Sequence, residues 1–126
     1  MAGGIRMAES DHQIAIMRWA AYNLGKYPEL ELLYHIANER KCNSVTGGIL
    51  KAMGVRKGVP DIDLPVPRGG YHGLRIELKT DIGTETKDQK WWRDKLTEQG
   101  YCAMLCRGWV EAVEKIEWYL KLRREG

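Results

Sequence analysis

The sequence predicts an α/β domain in which helices flank a small mixed central sheet, and two observations lead to this prediction. The clearer one is the strict alternation of the run Leu-Arg-Ile-Glu-Leu-Lys at residues 74–79. Its three apolar side chains share one face of a strand, and its three charged side chains share the other. The second is the order of helical and extended patterns along the chain: helix, strand, helix, two strands, helix, strand, helix.

Apolar residues at helical spacing, and the residues that begin and end each run, predict four helices. Ser10 or Asp11 is the expected N-cap of the first helix, and Gly54 and Gly100 are the expected stops of the second and third. The predicted helices span residues 9–24, 44–53, 86–99 and a last segment that begins at 108. The predicted strands span residues 30–36, 61–64, 74–79 and 101–106, with a loop at 38–43. Segment 30–36 is also apolar enough for a short helix.

The length and composition fit one globular domain. The 126 residues are enough for one hydrophobic core but too few for two ordinary domains. Hydrophobic residues make up 44% and charged residues 29%, which is typical of globular proteins and argues against a disordered chain. No stretch approaches the roughly 20 apolar residues of a membrane span, and no signal peptide is recognised, so the cytosol is the expected compartment. The net charge of +3 is too small to indicate a nucleic-acid binder by itself.

The cysteines and tryptophans are expected to be structural. Three cysteines, including Cys42, are an odd number, which indicates reduced thiols. Cys102 and Cys106 are predicted to be small buried residues of a strand, because a structural zinc site needs four ligands. Tryptophans at helical spacing are more often core residues than platforms for base stacking, and this prediction covers Trp19, Trp91, Trp92, Trp109 and Trp118.

Acidic side chains on two predicted neighbouring strands carry the functional hypothesis. If the strands pair, Asp61 and Glu77 converge at one end of the sheet, and Lys79 projects to the same side as Glu77. Converging carboxylates repel each other and are tolerated when a hard cation such as Mg²⁺ or Mn²⁺ lies between them. With a lysine that orients or deprotonates water, this set matches phosphodiester hydrolysis. Taken alone, the short pattern is more readily explained by solvent-facing carboxylates with Lys79 as their ion-pair partner.

The stretches around these acids carry a resemblance to a known family. They read Gly-Val-Pro-Asp-Ile-Asp-Leu-Pro at 58–65 and Gly-Gly-Tyr-His-Gly-Leu-Arg-Ile-Glu-Leu-Lys at 69–79. The matching pieces continue with Gln-Lys-Trp-Trp at 89–92, Leu96, Gly-Tyr at 100–101, the last helix and, in the first helix, Glu9, Gln13 and Trp19. Together they closely resemble the virus-type replication-repair nuclease (VRR-NUC) domain, a branch of the restriction-endonuclease-like PD-(D/E)xK superfamily. The resemblance covers nearly the whole chain and implies a single nuclease domain over residues 1–126.

The resemblance implies a role for each matching residue. Asp61 and Glu77 match the two acidic ligands of an Mg²⁺ or Mn²⁺ ion, and the backbone carbonyl of Ile76 or Leu78 is a further candidate ligand. Lys79 matches the catalytic lysine, and Gln89 matches a glutamine that lies beside the active site. Glu9 matches the acid of the first helix, which completes the metal shell in this superfamily. Asp11 is the alternative for that acid, and either residue is equally explained as a charge favoured at a helix N-terminus.

Basic and aromatic residues near the acidic strands are candidate DNA contacts. The basic ones are expected to form a phosphate-contacting rim, each with the alternative of a solvated surface charge: Arg56, Lys57, Arg68, Lys87 and Lys90. Tyr71 and His72, in the turn before the second acidic strand, are further candidate contacts. Asp63 is expected to be solvated or to lie behind the metal ligands. His35 and Asn38, at the end of a predicted strand, are candidates for approaching the site.

The resemblance implies an Mg²⁺- or Mn²⁺-dependent endonuclease that hydrolyses DNA and acts in replication or repair, in a bacterial or phage-infected cell. A domain this small gains DNA-binding surface by pairing, so a homodimer on branched DNA, a four-way junction or a flap, is expected. No membrane and no nucleotide cofactor are expected. The alternatives are a non-catalytic DNA-binding or scaffold module of the same fold and a nuclease that acts on RNA.

Overall fold

A computed structural model describes residues 7–37 and 44–124 of the chain. Its helices are α1 (Glu9–Tyr22), α2 (Ser44–Ala52), α3 (Lys87–Glu98) and α4 (Gly108–Leu120), with a 3₁₀ helix at Pro28–Leu32. Its strands are β1 (Tyr34–His35), β2 (Ile62–Leu64), β3 (Leu74–Lys79) and β4 (Cys102–Arg107). The predicted loop 38–43, and with it Asn38 and Cys42, lies outside the described residues.

The four strands form one mixed sheet in the order β1-β2-β3-β4. β2 runs antiparallel to both β1 and β3, whereas β3 and β4 are parallel and are connected through α3. In the register of β2 and β3, Ile62 lies opposite Ile76 and Leu64 opposite Leu74. Continuing that register by one residue places Asp61 opposite Glu77, at the end of the sheet where β3 finishes.

The core lies between the apolar face of the sheet and helices α1 and α4. Ile62, Ile76 and Leu78 from the sheet are almost completely buried, as are Ile16 of α1 and Ile116 of α4. Burial of a side chain of this size stabilises the fold by about 1.5–3 kcal/mol. The alternation predicted for residues 74–79 is therefore confirmed, because its apolar face packs under the two helices.

The helix starts and the first strand differ from the sequence prediction. Ala8, rather than Ser10 or Asp11, is the N-cap of α1, and Asp11 lies in the first turn, where its carboxylate accepts a hydrogen bond from Ala8 N at 3.0 Å. Of the predicted strand 30–36, residues 30–32 belong to the 3₁₀ helix and only Tyr34 and His35 are strand. The buried residues Leu30 and Leu33 are three apart, a spacing that puts both on one face of a helix with three residues per turn.

The prediction for the tryptophans is correct for some and wrong for others. Trp19 and Trp109 pack against the core, but Trp91 and Trp118 are 47% and 45% exposed. Trp118 lies off the face of α4 that is buried. Trp91 is exposed because α3 packs along β4 without burying any of its side chains fully, as far as the described residues show.

The prediction that the two cysteines of β4 are buried strand residues is confirmed. Cys102 and Cys106 are buried in β4 as free thiols, so they are apolar strand residues as predicted. Burial raises the pKa of the Cys106 thiol to about 12.

Among the described residues, no helix combines the length and apolar character that crossing a membrane requires.

Candidate active site

Asp61 and Glu77 form a buried acidic pair at the end of β3. Their side chains are only 5% and 2% exposed, although neither is an apolar residue. Asp61 Oδ2 accepts a hydrogen bond from the backbone N–H of Leu78 at 2.8 Å, which fixes this carboxylate against β3. The Asp61 carbonyl accepts a hydrogen bond from Ile36 N at 2.7 Å and lies 2.9 Å from His35 Nδ1. His35 therefore approaches the site and contacts the backbone of Asp61.

Lys79 and Gln89 contact the same oxygen of Glu77. Gln89 Nε2 donates a hydrogen bond to Glu77 Oε2 at 3.1 Å, and Lys79 Nζ lies 3.7 Å from that oxygen. The Lys79 side chain is only 11% exposed, so the ion pair is largely shielded from water. The other oxygen, Glu77 Oε1, is buried and accepts no hydrogen bond from a donor in the described part of the chain. Glu77 thus presents one buried oxygen for which no donor is provided.

The acidic pair has an unusual charge balance. Burial and then the charge and hydrogen bonding of Asp61 raise the pKa of Glu77 from its ordinary value of 4.5 to about 9, and Lys79 offsets this only in part. The acidic pair therefore retains a proton at neutral pH in the protein alone, so its two carboxyl groups are not both ionised. Two buried carboxylates that can ionise together only with an added positive charge are a suitable pair of ligands for a hard cation.

Glu9, from the first turn of α1, lies on the edge of the same site. It lines a pocket of about 290 Å³ together with Asp61, Glu77 and Gln89. Burial and then the negative charge of Asp61 raise the pKa of Glu9, and the positive charge of Lys79 opposes this. The Asp11 carboxylate instead accepts the hydrogen bond from Ala8 N, so of the two candidate acids of the first helix it is Glu9 that lies beside Asp61.

The acidic side chains of the described residues do not form a complete metal-binding site by themselves. Among the described residues, no group of three or more His, Cys, Asp or Glu side chains is arranged to hold a metal ion. The buried oxygen groups that lie together are the carboxylates of Asp61 and Glu77. The backbone of Leu78 lies next to them, between Glu77 and Lys79 in β3.

Asp63, two residues after Asp61, has a structural role. Its Oδ2 accepts a hydrogen bond from the Tyr34 hydroxyl at 2.6 Å, and its Oδ1 lies 2.9 Å from Arg75 Nε in an ion pair. Asp63 is only 4% exposed, so of the two expectations for it the solvated residue is wrong, and a place behind the proposed metal ligands is the one that stays a prediction. The ion pair links β2 to β3, and the Tyr34 hydrogen bond links β1 to β2, beside the acidic pair.

The start of α3 determines where Gln89 lies. Thr86 is the N-cap and accepts a hydrogen bond from Gln89 N at 3.2 Å, while Gln89 Oε1 accepts one from Thr86 N at 2.9 Å. This reciprocal capping box stabilises the first turn of the helix. Since the amide oxygen of Gln89 is used by the cap, the amide nitrogen points towards Glu77.

Gly58 brings the segment before Asp61 against that first turn. Its φ of +85° is in the left-handed region, and a Cβ at this position would lie 2.5 Å from the backbone carbon of Asp88 and 2.7 Å from Gln89 N. Only glycine permits both the conformation and the close approach. Sequence reasoning missed this role of Gly58, and the signal for it is a glycine three residues before a candidate acid.

Three of the candidate DNA contacts lie before β3, at the end of this strand opposite Lys79. For Arg68 this corrects the prediction that it belongs to a rim around the acidic pair. Arg68 is buried, forms an ion pair with Glu29 and donates a hydrogen bond to the Pro67 carbonyl. Tyr71 packs with Tyr119, and His72 contacts the ring of Tyr101. All three precede β3, whose six residues separate them from Lys79 by about 16 Å.

Of the other four basic candidates, three line the pocket or the groove beside it. Lys57 lines it directly, and Arg56, Lys57 and Lys87 line a second groove beside it. Lys90 is exposed and forms a 2.7 Å ion pair with Asp94 on the surface of α3.

Comparison with solved structures finds a chain described as "VRR_NUC domain protein". The two chains superpose with a TM-score of 0.80 and are 30% identical, and the match covers 97% of this chain and 93% of that chain. No protein-family model matches this sequence, and no curated protein matches it either. The match extends over the whole mixed sheet and its flanking helices, so the fold class predicted from the sequence is confirmed.

Proposed function

This chain belongs to the VRR-NUC domain family, and from that premise we propose that it is a metal-dependent endonuclease that hydrolyses phosphodiester bonds in DNA. The observation that carries the proposal is the buried pair Asp61 and Glu77, with Lys79 and Gln89 on one carboxylate oxygen. Two carboxylates are costly to bury side by side unless a positive charge compensates them. The pairing of β2 with β3 does not require these two carboxylates, which supports a functional reason for their burial.

Asp61 and Glu77 are the residues that would hold an Mg²⁺ or Mn²⁺ ion. The buried Glu77 Oε1 with no described donor supports this, as does an oxygen-only donor set, which suits both ions. The Leu78 carbonyl and Glu9 are the proposed further ligands, with water completing the shell. When bound, the ion supplies Lewis-acid activation of the phosphate and a lowered pKa for a coordinated water.

The protein's own residues supply position and charge. Lys79 is held beside Glu77 and is largely shielded from water, so its ammonium group interacts strongly with charge that develops on phosphate oxygens. Gln89 holds the Glu77 carboxylate in one orientation through its 3.1 Å hydrogen bond. Asp61 is held in the same way by the backbone of Leu78. The carboxylates are thus fixed before substrate arrives.

The preferred DNA and the assembly are finer parts of the same proposal. We propose branched DNA, a four-way junction or a flap, in replication or repair, and a homodimer as the acting form. Support for pairing comes from exposed apolar residues on α1 and α4: Ile14 is 50% exposed, Tyr22 89% and Val110 52%. Such residues on neighbouring helices are typical of protein contact surfaces.

Cleavage assays on labelled four-way junctions, flaps, linear duplex and RNA, with Mg²⁺, Mn²⁺ or EDTA, test the proposal. Asp61→Asn is the test variant, and Asp63→Asn is the matched control. Each variant removes the charge of one buried aspartate, and the two positions are two residues apart. Metal-dependent DNA cleavage that Asp61→Asn abolishes and Asp63→Asn retains supports the active site. Equal loss in both variants contradicts it, and preferred cleavage of RNA favours the RNA-directed alternative.

A thermal unfolding experiment with Mn²⁺ distinguishes a nuclease from a scaffold module. Mn²⁺ that binds the folded state raises its midpoint of thermal unfolding, and the shift grows with the metal concentration. The wild type should show this shift and Asp61→Asn should not. A wild type that neither binds Mn²⁺ nor cleaves DNA would favour the scaffold alternative.

A further inference from the structure

A second groove, formed where α2 and the segment after it face α3, lies beside the candidate active site. Its volume is about 580 Å³. Its wall combines two tryptophans with four basic side chains: Lys51, Arg56, Lys57, Lys87, Trp91 and Trp92. Lys57 and Asp88 line both this groove and the acidic pocket, so the two are contiguous.

The aromatic wall of the groove is open to solvent. Trp91 is 47% exposed, although a tryptophan on a helix normally packs into a core. Its ring contacts Trp92 edge to face, with centroids 5.4 Å apart and an interplanar angle of 85°. The guanidinium of Arg56 lies 5.1 Å from the ring centre of Trp92 and 5.7 Å from that of Trp91. The two rings and the planar guanidinium therefore support one another in a fixed arrangement.

The charge of the groove is predominantly positive. Lys51, Lys57 and Lys87 form no ion pair with any acidic side chain in the described part of the chain. Asp88 is the acidic residue among those that line the groove. Unpaired lysines beside exposed aromatic faces combine the features that bind single-stranded nucleic acid, namely phosphate neutralisation and base stacking.

We propose that this groove binds unpaired bases of a DNA strand next to the scissile phosphate, with Trp91 as the stacking platform and Lys51, Lys57 and Lys87 as phosphate contacts. The inference rests on the proposed function and specifies its substrate: DNA in which unpaired nucleotides adjoin the cleavage site. A base in duplex DNA has both faces covered by its neighbours, whereas an unpaired base has a face that Trp91 can cover.

Binding to short labelled strands in EDTA, followed by fluorescence anisotropy, tests the inference without cleavage. The probes are an oligothymidylate, an abasic strand of the same length and an oligouridylate. Trp91→Ala should weaken oligothymidylate binding about tenfold and leave abasic-strand binding nearly unchanged, because only the first probe can stack. Trp91→Phe, which retains an aromatic face, should recover most of the affinity. Trp118→Ala is the matched control, since Trp118 is equally exposed but lies on α4.

Several outcomes would overturn the inference. These are equal losses in Trp91→Ala and Trp118→Ala, an equal loss for the abasic strand, and a Trp91→Phe variant as weak as Trp91→Ala. Tighter Trp91-dependent binding of oligouridylate would overturn the assignment to DNA. Metal-dependent cleavage by the wild type is measured in parallel. Cleavage without a Trp91 effect refutes this inference alone, and Trp91-dependent binding without cleavage refutes the proposed activity alone.

Discussion

The side-chain amide of Gln89 links the first turn of α3 to the buried carboxylate of Glu77. Its oxygen accepts a hydrogen bond from Thr86 N at 2.9 Å, and its nitrogen donates one to Glu77 Oε2 at 3.1 Å. One side chain therefore caps the helix and orients the acidic pair. The position of the Glu77 carboxylate depends on how α3 begins.

Gln89→Ala should affect both stability and activity, whereas Thr86→Ala should affect mainly stability. Each variant loses a partner of the capping box, which costs about 1 kcal/mol and lowers the midpoint of thermal unfolding by about 3–5 °C. Only Gln89→Ala also removes the donor to Glu77. Cleavage rates measured well below both unfolding midpoints should fall at least tenfold further in Gln89→Ala than in Thr86→Ala. Equal rates in the two variants would show that Gln89 acts only as a cap.

Gly58→Ala should destabilise the protein more than Gly54→Ala. Both glycines have positive φ, +85° and +95°, so each alanine carries a backbone cost of about 1–2 kcal/mol. A Cβ at Gly54 meets nothing within 4 Å, but a Cβ at Gly58 lies 2.5 Å from the backbone of α3. Gly58→Ala should therefore cost at least about 1 kcal/mol more in urea unfolding. It should also reduce cleavage, because α3 and Gln89 must move away from Glu77. A cost no greater than that of Gly54→Ala would mean that the close approach is easily relieved.

The raised pKa of Glu77 predicts how stability depends on pH. The folded protein holds this proton to about pH 9, whereas the unfolded chain releases it near 4.5. The stabilisation from this group is therefore complete below 4.5 and is lost as the pH rises towards 9. Glu77→Gln cannot ionise, so it should be more stable than the wild type at pH 8–9, with a difference that shrinks towards pH 5. Thermal unfolding in EDTA across this range measures the difference. A difference that does not change with pH would contradict the proposed protonation of Glu77.

Arg68 and Lys57 should behave in opposite ways. Arg68→Met leaves Glu29 without its buried partner and should destabilise the fold by about 3 kcal/mol, with no change in the salt dependence of DNA binding. Lys57→Ala removes an exposed charge beside the pocket, so it should leave stability unchanged and lower the salt slope of DNA binding by about 1. A lower salt slope in a folded Arg68→Met variant would reinstate Arg68 as a phosphate contact.

The sequence predicted the parts of this molecule that depend on local pattern. The alternation at 74–79 and the proline-bracketed acids at 61–63 specify two strands, and their pairing is enough to bring Asp61 and Glu77 together. Arg68 was misplaced because its partner Glu29 lies 39 residues away, and no local pattern shows such an ion pair. The prediction that Trp91 is a core residue is wrong because helical spacing indicates only which face of the helix a residue occupies. It does not indicate whether another element covers that face. The close approach of Gly58 to α3 is likewise a tertiary contact between distant segments.

The proposed active site is tested most directly by the rate of metal-dependent DNA cleavage by Lys79→Ala, with Lys95→Ala as the control. Lys79 is 11% exposed and lies 3.7 Å from Glu77, whereas Lys95 pairs with Glu98 on the surface of α3. Circular dichroism of both variants first establishes that they are folded. If Lys79 acts in the proposed active site, Lys79→Ala lowers cleavage by about 10²–10³-fold in Mg²⁺ while Lys95→Ala cleaves like the wild type. Cleavage by a folded Lys79→Ala at the wild-type rate would contradict the proposed active site.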